Sequence, residues 1–252
     1  MKKTGFFIKT IFSAVFLVSI SVVPTMKKIL TILLFLTLAG CSTQRAWTYK
    51  AEPAVRMASI INKTVAVSPL SDGRENVNTN AWAMYLIPLM PFGWQDLKTP
   101  EGVQMHLNSG LWLFKPAEDF AKAIAEELNN SGIFKEVFFT NRPSEGDLFI
   151  KGEIKATDYN GKMITYCLSF EGPLLWFIGL PKAHIENILG LSLQLVDSKT
   201  NEVLWQGSYE KKEAHTSWIY ALQPDFLYDR LLKEVMREAL PSLKNKLANY
   251  QK

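Results

Sequence analysis

The sequence predicts an α+β domain of two layers, in which a mostly antiparallel sheet built from hairpins carries two helices packed on it. Three observations predict it. A short apolar strand precedes an amphipathic helix, paired runs of alternating apolar residues follow with turn signals between them, and a second amphipathic helix ends the chain.

The domain is expected to begin near residue 61, where Thr64 to Val67 form a buried strand stopped by Pro69 and by the turn-forming Ser71, Asp72 and Gly73. "KPAEDFAKAIAEELNNSGIF" reads as a helix. Pro116 stands at its first position, Glu118 and Asp119 complement the dipole in its first turn, and Gly132 follows as a cap. Phe120, Ile124 and Leu128, with Ala121, Ala123 and Ala125 beside them, give it one core-facing stripe. Strands are expected at 137–139, 147–159 and 162–170, the last two joined in a hairpin at Asn160-Gly161. A second hairpin sets Leu189, Leu191, Leu193 and Leu195 against Val203, Trp205 and Ser208, with its turn at Asp197 to Asn201. The last helix opens at Pro224 and carries an apolar face from Phe226 to Leu240, and Pro241 is expected to kink or restart it.

Two stretches resist this grammar. "AWAMYLIPLMPFGW" (81–94) and "FEGPLLWFIGLP" (170–181) are the most apolar segments after residue 40, yet both are broken by proline and glycine, so they read as apolar loops. Leaving Leu174, Leu175, Trp176, Phe177 and Ile178 in water would forgo on the order of 10 kcal/mol of burial free energy, comparable to a typical net stability of about 5 to 15 kcal/mol. Tyr85, Leu86, Trp94 and these five residues are therefore the candidate contact residues. Three covers are open: the loops themselves, a partner protein or sister subunit, or a membrane surface favoured by Trp82, Trp94 and Trp176.

The beginning of the chain has a different chemistry. Met26, Lys27 and Lys28 precede an apolar core from Ile29 to Thr37 and a small-residue exit at Leu38-Ala39-Gly40, the layout of a secretory leader too short to span a bilayer. Residues 1–25 repeat that layout, as an over-called start or a leader extension. The expected organisation is leader 26–40, tether 41–60 and an α+β domain over 61–252. Residues 1–40 hold five lysines and no acid, so without them Lys and Arg number 23 against 24 acidic residues. A net charge near −1 with no basic run excludes an electrostatic footprint for nucleic acid.

"LAGC" at 38–41 resembles the lipobox of bacterial lipoproteins. The resemblance implies cleavage before Cys41, diacylglycerol on its sulfur and a further acyl chain on the new amino terminus, which together anchor a protein stably. Ser42, in place of aspartate, implies the outer membrane, with the domain in the periplasm. Cys167 in "KMITYCLSF" is then left without a disulfide partner and is expected as a small buried residue.

No constellation for catalysis, metal or cofactor is evident. His106, His184 and His215 are scattered and expected at the surface or in loops, and Ser192 in "GLSLQ" lacks the second glycine of a nucleophile elbow. Glu118, Asp119, Glu126 and Glu127 are accounted for by helix solvation and dipole. The pattern also resembles a group of envelope proteins that includes the curli-secretion lipoprotein, the lipoprotein activators of penicillin-binding proteins and the amino-terminal domain of the Tol-system propeller protein. "VAVSPLSDGREN", "AEELNNSGIF" before a short strand, and "LQLVDSKTNEVLW" carry that likeness. It implies a membrane-anchored, non-enzymatic binding or assembly module. The alternatives are a structural homo-oligomer such as a ring or secretion-type assembly, and, with least support, an envelope hydrolase. Neither apolar loop has the alternation of a transmembrane β-hairpin.

Overall fold

The computed structural model of the chain describes residues 47–51, 60–102, 113–220 and 226–250. The chain divides into two compact units, Met1–Thr43 and Gln44–Lys252, and every described residue belongs to the second, which has its own core. The leader, Cys41, His106 and Pro224 lie outside the described residues.

Eight strands form one mixed, mostly antiparallel sheet. They are β1 (Ile61–Val67), β2 (Ser71–Asp72), β3 (Asn78–Ala81), β4 (Phe92–Leu97), β5 (Phe134–Phe139), β6 (Leu148–Ile164), β7 (Ala183–Asp197) and β8 (Val203–Ser217). The helices are α1 (Pro116–Asn130), the short α2 (Pro173–Phe177) and α3 (Tyr228–Tyr250).

The 17-residue β6 organises the sheet. Along one edge it takes, in order, β1 in parallel (Val65 opposite Leu148), β2 in parallel (Ser71 opposite Glu153) and β4 antiparallel (Phe92 opposite Ile164). Its other edge pairs with β7 from Leu148–Asp197 to Met163–Ala183, and β8 extends the sheet beyond β7. Parallel pairing of β1 with β5 needs a crossover, which α1 supplies.

Both long helices lie on one face and share one core with the sheet. The α1 stripe of Phe120, Ile124 and Leu128 is buried as its spacing predicts. The carboxylate of Asp119 accepts the Lys115 amide at 2.8 Å in the first turn, and Gly132, at φ 66°, takes the left-handed position past the end. On α3, Leu231, Leu232, Val235 and Met236 are buried.

Several expectations are corrected. Asn160-Gly161 is no turn: β6 runs straight through it, and Asn160 faces Asp96 on one side and Glu186 on the other. Gly161 is needed there for space, since a Cβ would sit 2.7 Å from the Tyr159 ring, which folds over it. The real partner of β6 is β7, and the apolar stretch 165–182 is the connection between them. Ser71 and Asp72 form β2 rather than a turn. Helix α3 is continuous through Pro241, because Leu243 and Leu247 beyond it are buried and Ser242 accepts the Trp205 indole N–H at 3.2 Å. That anchorage outweighs the roughly 3 kcal/mol a helical proline costs. His184 is exposed on β7, as expected for a surface residue, but the ring nitrogens of His215 are buried in β8.

Trp47 and Tyr49, in the stretch read as tether, pack on the core. Trp47 lies 5.2 Å from the Phe114 ring and 5.6 Å edge-on from Phe120. The Tyr49 hydroxyl donates to Glu127 at 2.5 Å, and burial first, then that carboxylate, push its pKa well up.

Candidate contact surface at the apolar end of the sheet

Tracing β6 toward Ile164 leads to one end of the sheet, where both apolar stretches meet. The first joins β3 to β4, its residues Trp82–Leu86 wound into a 3-10 turn. The second joins β6 to β7 and contains α2. Both are connections of antiparallel strand pairs, so the sheet register brings their tips together.

Hydrogen bonds lock them. Thr165, fully buried, donates its amide to the Pro91 carbonyl at 2.9 Å and its hydroxyl to that of Met90 at 3.0 Å. The Ser169 hydroxyl donates to Leu86 O at 2.6 Å. Within the second tip, the Trp176 indole N–H donates to Ile164 O at 2.9 Å and the Tyr166 hydroxyl to Pro181 O at 2.6 Å. Burial pushes the Tyr166 hydroxyl pKa up. A third segment, following β8, joins them: the Tyr220 hydroxyl donates to Phe177 O at 2.6 Å.

The backbone of the second tip is unusual. Tyr166, Cys167 and Ser169 have φ of 56°, 64° and 52°, the left-handed region that non-glycine residues avoid. Gly172 fits only without a side chain, since a Cβ there would be 2.3 Å from Thr165 O. The strand expected through 170 thus stops at Ile164, and Cys167, expected to be buried, is exposed in the turn.

This locked frame does not cover its own apolar side chains. Leu89 is 81% exposed, Ile178 76%, Phe170 71%, Tyr220 70%, Leu174 65% and Phe177 59%. Among the described residues, self-covering therefore fails for these side chains. Of the candidate contact residues, Leu86, Leu174, Phe177 and Ile178 are on this exposed surface, while Tyr85, Leu175 and Trp176 are half-buried supports beneath it. Tyr85 sets its ring 4.8 Å edge-on to Trp82. Trp94 is not in a loop at all. It lies within β4, half-buried, 6.3 Å from Phe92.

Trp218 and Tyr220 belong to the surface and were not singled out from the sequence. Their signal was "SWIY" (217–220), an apolar run directly after the polar "YEKKEAHT" of β8. Behind the tips, a cleft of about 220 Å³ is lined by Trp82, Tyr159, Met163, Trp176, Lys182 and Ile185, among others. It presents aromatic and aliphatic walls with the Lys162 and Lys182 ammonium groups, the Tyr159 phenol and the Gln95 amide, and no carboxylate or histidine among its lining residues. Among the described residues no group of His, Cys, Asp and Glu is arranged to hold a metal ion. No described helix is long and apolar enough to cross a membrane.

The charged network lies further back along β6. Arg74, its side chain 4% exposed, donates to Asp72 at 2.8 and 2.7 Å, to Glu101 at 2.6 Å and to Thr157 at 2.5 Å. Burial opposes the Arg74 charge, but Asp72 and Glu101 more than compensate and raise its pKa. The same hydrogen bonds hold Asp72 below the usual carboxylate range. Thr157 also offers its carbonyl to the buried Tyr228 hydroxyl at 2.8 Å, so the network fastens two loops and α3 to the strand that carries the apolar end.

No protein-family model matches the chain, and no curated protein matches it. Among solved structures it is similar to a DUF330 protein from Xanthomonas campestris, with 13% identity, TM-score 0.46, and 82% of this chain and 98% of that one covered. It is also similar to a PelC dodecamer from Paraburkholderia phytofirmans, with 13% identity, TM-score 0.37, and 78% and 96% covered. A third is lipoprotein GNA1162 from Neisseria meningitidis, with 14% identity, TM-score 0.24, and 77% and 99% covered. These likenesses are too distant to carry a function to this chain.

Proposed function

We infer that this chain is a lipoprotein held on a bacterial envelope membrane by acyl chains on Cys41, and that its domain is a non-enzymatic contact module working through the apolar end of its sheet. The observation that carries the reading is that end. Three separate segments are hydrogen-bonded into one frame whose large apolar side chains face outward, an arrangement that makes sense only if something else covers them. The half-exposed burial of six such residues is worth on the order of 10 kcal/mol if they are covered. No carboxylate, histidine, serine or cysteine lines the adjoining cleft, which supports binding over turnover. "LAGC" followed by Ser42 supports lipidation and an outer-membrane location facing the periplasm.

Labelled palmitate supplied to growing cells tests the anchor. It is expected to enter the protein, and to be lost with Cys41→Ala. Label that survives the substitution contradicts the anchor.

A further inference from the structure

Resting on the anchored-lipoprotein reading, we propose that the apolar end docks into the interfacial layer of the same lipid bilayer that holds Cys41, so that the domain lies tips-down on the membrane. Three observations choose a bilayer over a protein partner.

The first is the set of side chains. Leu89, Phe170, Leu174, Phe177 and Ile178 are the most exposed aliphatic and phenyl groups of the end. Trp82 and Trp218 are less exposed, at 39% and 38%, and Trp82 and Trp176 share the adjoining cleft with Lys162 and Lys182. Aliphatic and phenyl groups with indoles and lysine ammonium groups beside them are the chemistries that the boundary of a bilayer accepts, in acyl chains, interface and phosphates.

The second is that the end has little polar chemistry left with which to specify a protein. Residues 82–91 and 217–220 contain no charged residue, and 164–182 contain only Glu171 and Lys182. Protein interfaces carry a polar rim and about one hydrogen bond per 100–200 Å². Here Thr165, Tyr166, Ser169, Trp176 and Tyr220 all spend their donors on carbonyls of the end itself. Internally satisfied polar groups under an apolar exterior suit a surface that meets lipid. Glu171, in the turn before α2, limits insertion to the headgroup boundary, a depth of roughly 5–10 Å.

The third is reach. Five residues lie between Cys41 and Trp47, six Cα steps that span at most about 22 Å. Trp47 is tied through the Phe114 and Tyr228 rings to Thr157 of β6, and from Thr157 to Ile164 the strand covers about 23 Å. The stretch from Cys41 to Trp47 and the strand from Thr157 to Ile164 are therefore of comparable length, as the proposed docking requires.

The test uses the protein starting at Ser42, which contains the compact unit and whose sole thiol is the exposed Cys167 of the second tip. Cys167 is labelled with an environment-sensitive fluorophore and mixed with phosphatidylethanolamine and phosphatidylglycerol vesicles. The expected result is a blue-shifted emission, quenching by brominated acyl chains, and at least tenfold weaker vesicle partition in a Leu174→Ser, Phe177→Ser, Ile178→Ser variant whose urea midpoint is unchanged. Three results overturn the proposal: an aqueous spectrum in the presence of vesicles, equal partition of the variant, or a lipid-free oligomer that the same variant dissolves, which would assign the cover to a second copy. None of them bears on acylation of Cys41, which palmitate labelling reads separately.

Discussion

Replacing Arg74 by alanine removes the guanidinium that fastens the Ser71–Arg74 and Pro100–Gly102 segments to the middle of β6. The guanidinium makes four hydrogen bonds of 2.5 to 2.8 Å to Asp72, Glu101 and Thr157. Glu101 is 17% exposed and would keep its charge largely out of water without a counterion. Breaking a buried pair from one side costs about 3 to 5 kcal/mol, and the residual exposure of Glu101 puts the expected loss near the lower figure. With a urea slope of about 1 to 3 kcal/mol per molar, the unfolding midpoint, followed by tryptophan fluorescence of the form starting at Ser42, should fall by about 1 to 3 M. Arg74→Lys should recover part of this, since it keeps the charge and loses the fork. The pH dependence gives an independent sign. Asp72 is held below its ordinary pKa, chiefly by the Arg74 hydrogen bond, so its contribution is complete above the ordinary carboxylate range and disappears as pH falls through the lowered value. That acid limb should flatten in Arg74→Ala. A midpoint shift of less than about 0.3 M at neutral pH, with the acid limb unchanged, would refute the reasoning.

Other outcomes follow from the same geometry. Tyr228→Phe should cost about 0.5 to 1.5 kcal/mol in urea unfolding, because it removes the buried hydroxyl that donates to Thr157 O and leaves the ring packing intact. Gly172→Ala should loosen α2, since its Cβ would meet Thr165 O at 2.3 Å; faster amide exchange over 165–178 with unchanged exchange in β7 would show it, and unchanged exchange throughout would contradict it. Asp147 is held below the ordinary carboxylate range first by the Thr64 amide and then by the Thr64 hydroxyl, so it stabilises above that range and less as pH falls through its lowered value. Asp147→Asn should therefore remove part of the acid-side slope of the urea midpoint, and an identical slope would argue against the bond. Lys98 is raised by its hydrogen bond to Asp158, so that contribution is present at neutral pH and lost only as pH rises through the raised value; Lys98→Met should flatten the alkaline limb.

The fold was legible where periodicity dominates. The α1 stripe of Phe120, Ile124 and Leu128, the β7–β8 hairpin with its turn after Asp197, and the apolar face of α3 all follow from side-chain spacing, which burial then enforces. It was misleading where a local signal competed with pairing on both sides. Asn160-Gly161 carries the chemistry of a turn, but β4 and β7 pair with that stretch from either edge, and the Tyr159 ring fills the space over Gly161. Missing that continuity misplaced Cys167, because the strand ends three residues before it in left-handed turns that leave no periodic trace. The apolar stretches were recognisable as unusual, yet not as neighbours. What joins them is Thr165 and Ser169, whose hydroxyls reach carbonyls 75 and 83 residues away, and nothing in the local pattern marks either residue. Trp94 was misplaced for the converse reason: it sits within an apolar run, but its backbone pairs with Lys162 as part of β4.

The central claim is that the apolar end is covered when the protein is in place. Cys167 reports on this directly, being the exposed thiol of the second tip. Its reaction rate with a small maleimide should be compared between the purified form starting at Ser42 and the full chain in intact cell envelopes, with a thiol introduced by Lys151→Cys at an exposed position of β6 as the control in both. The account expects Cys167 to react freely in the purified domain and at least tenfold more slowly in envelopes, while the control reacts alike in both. Equal rates at Cys167 in the two settings would contradict it.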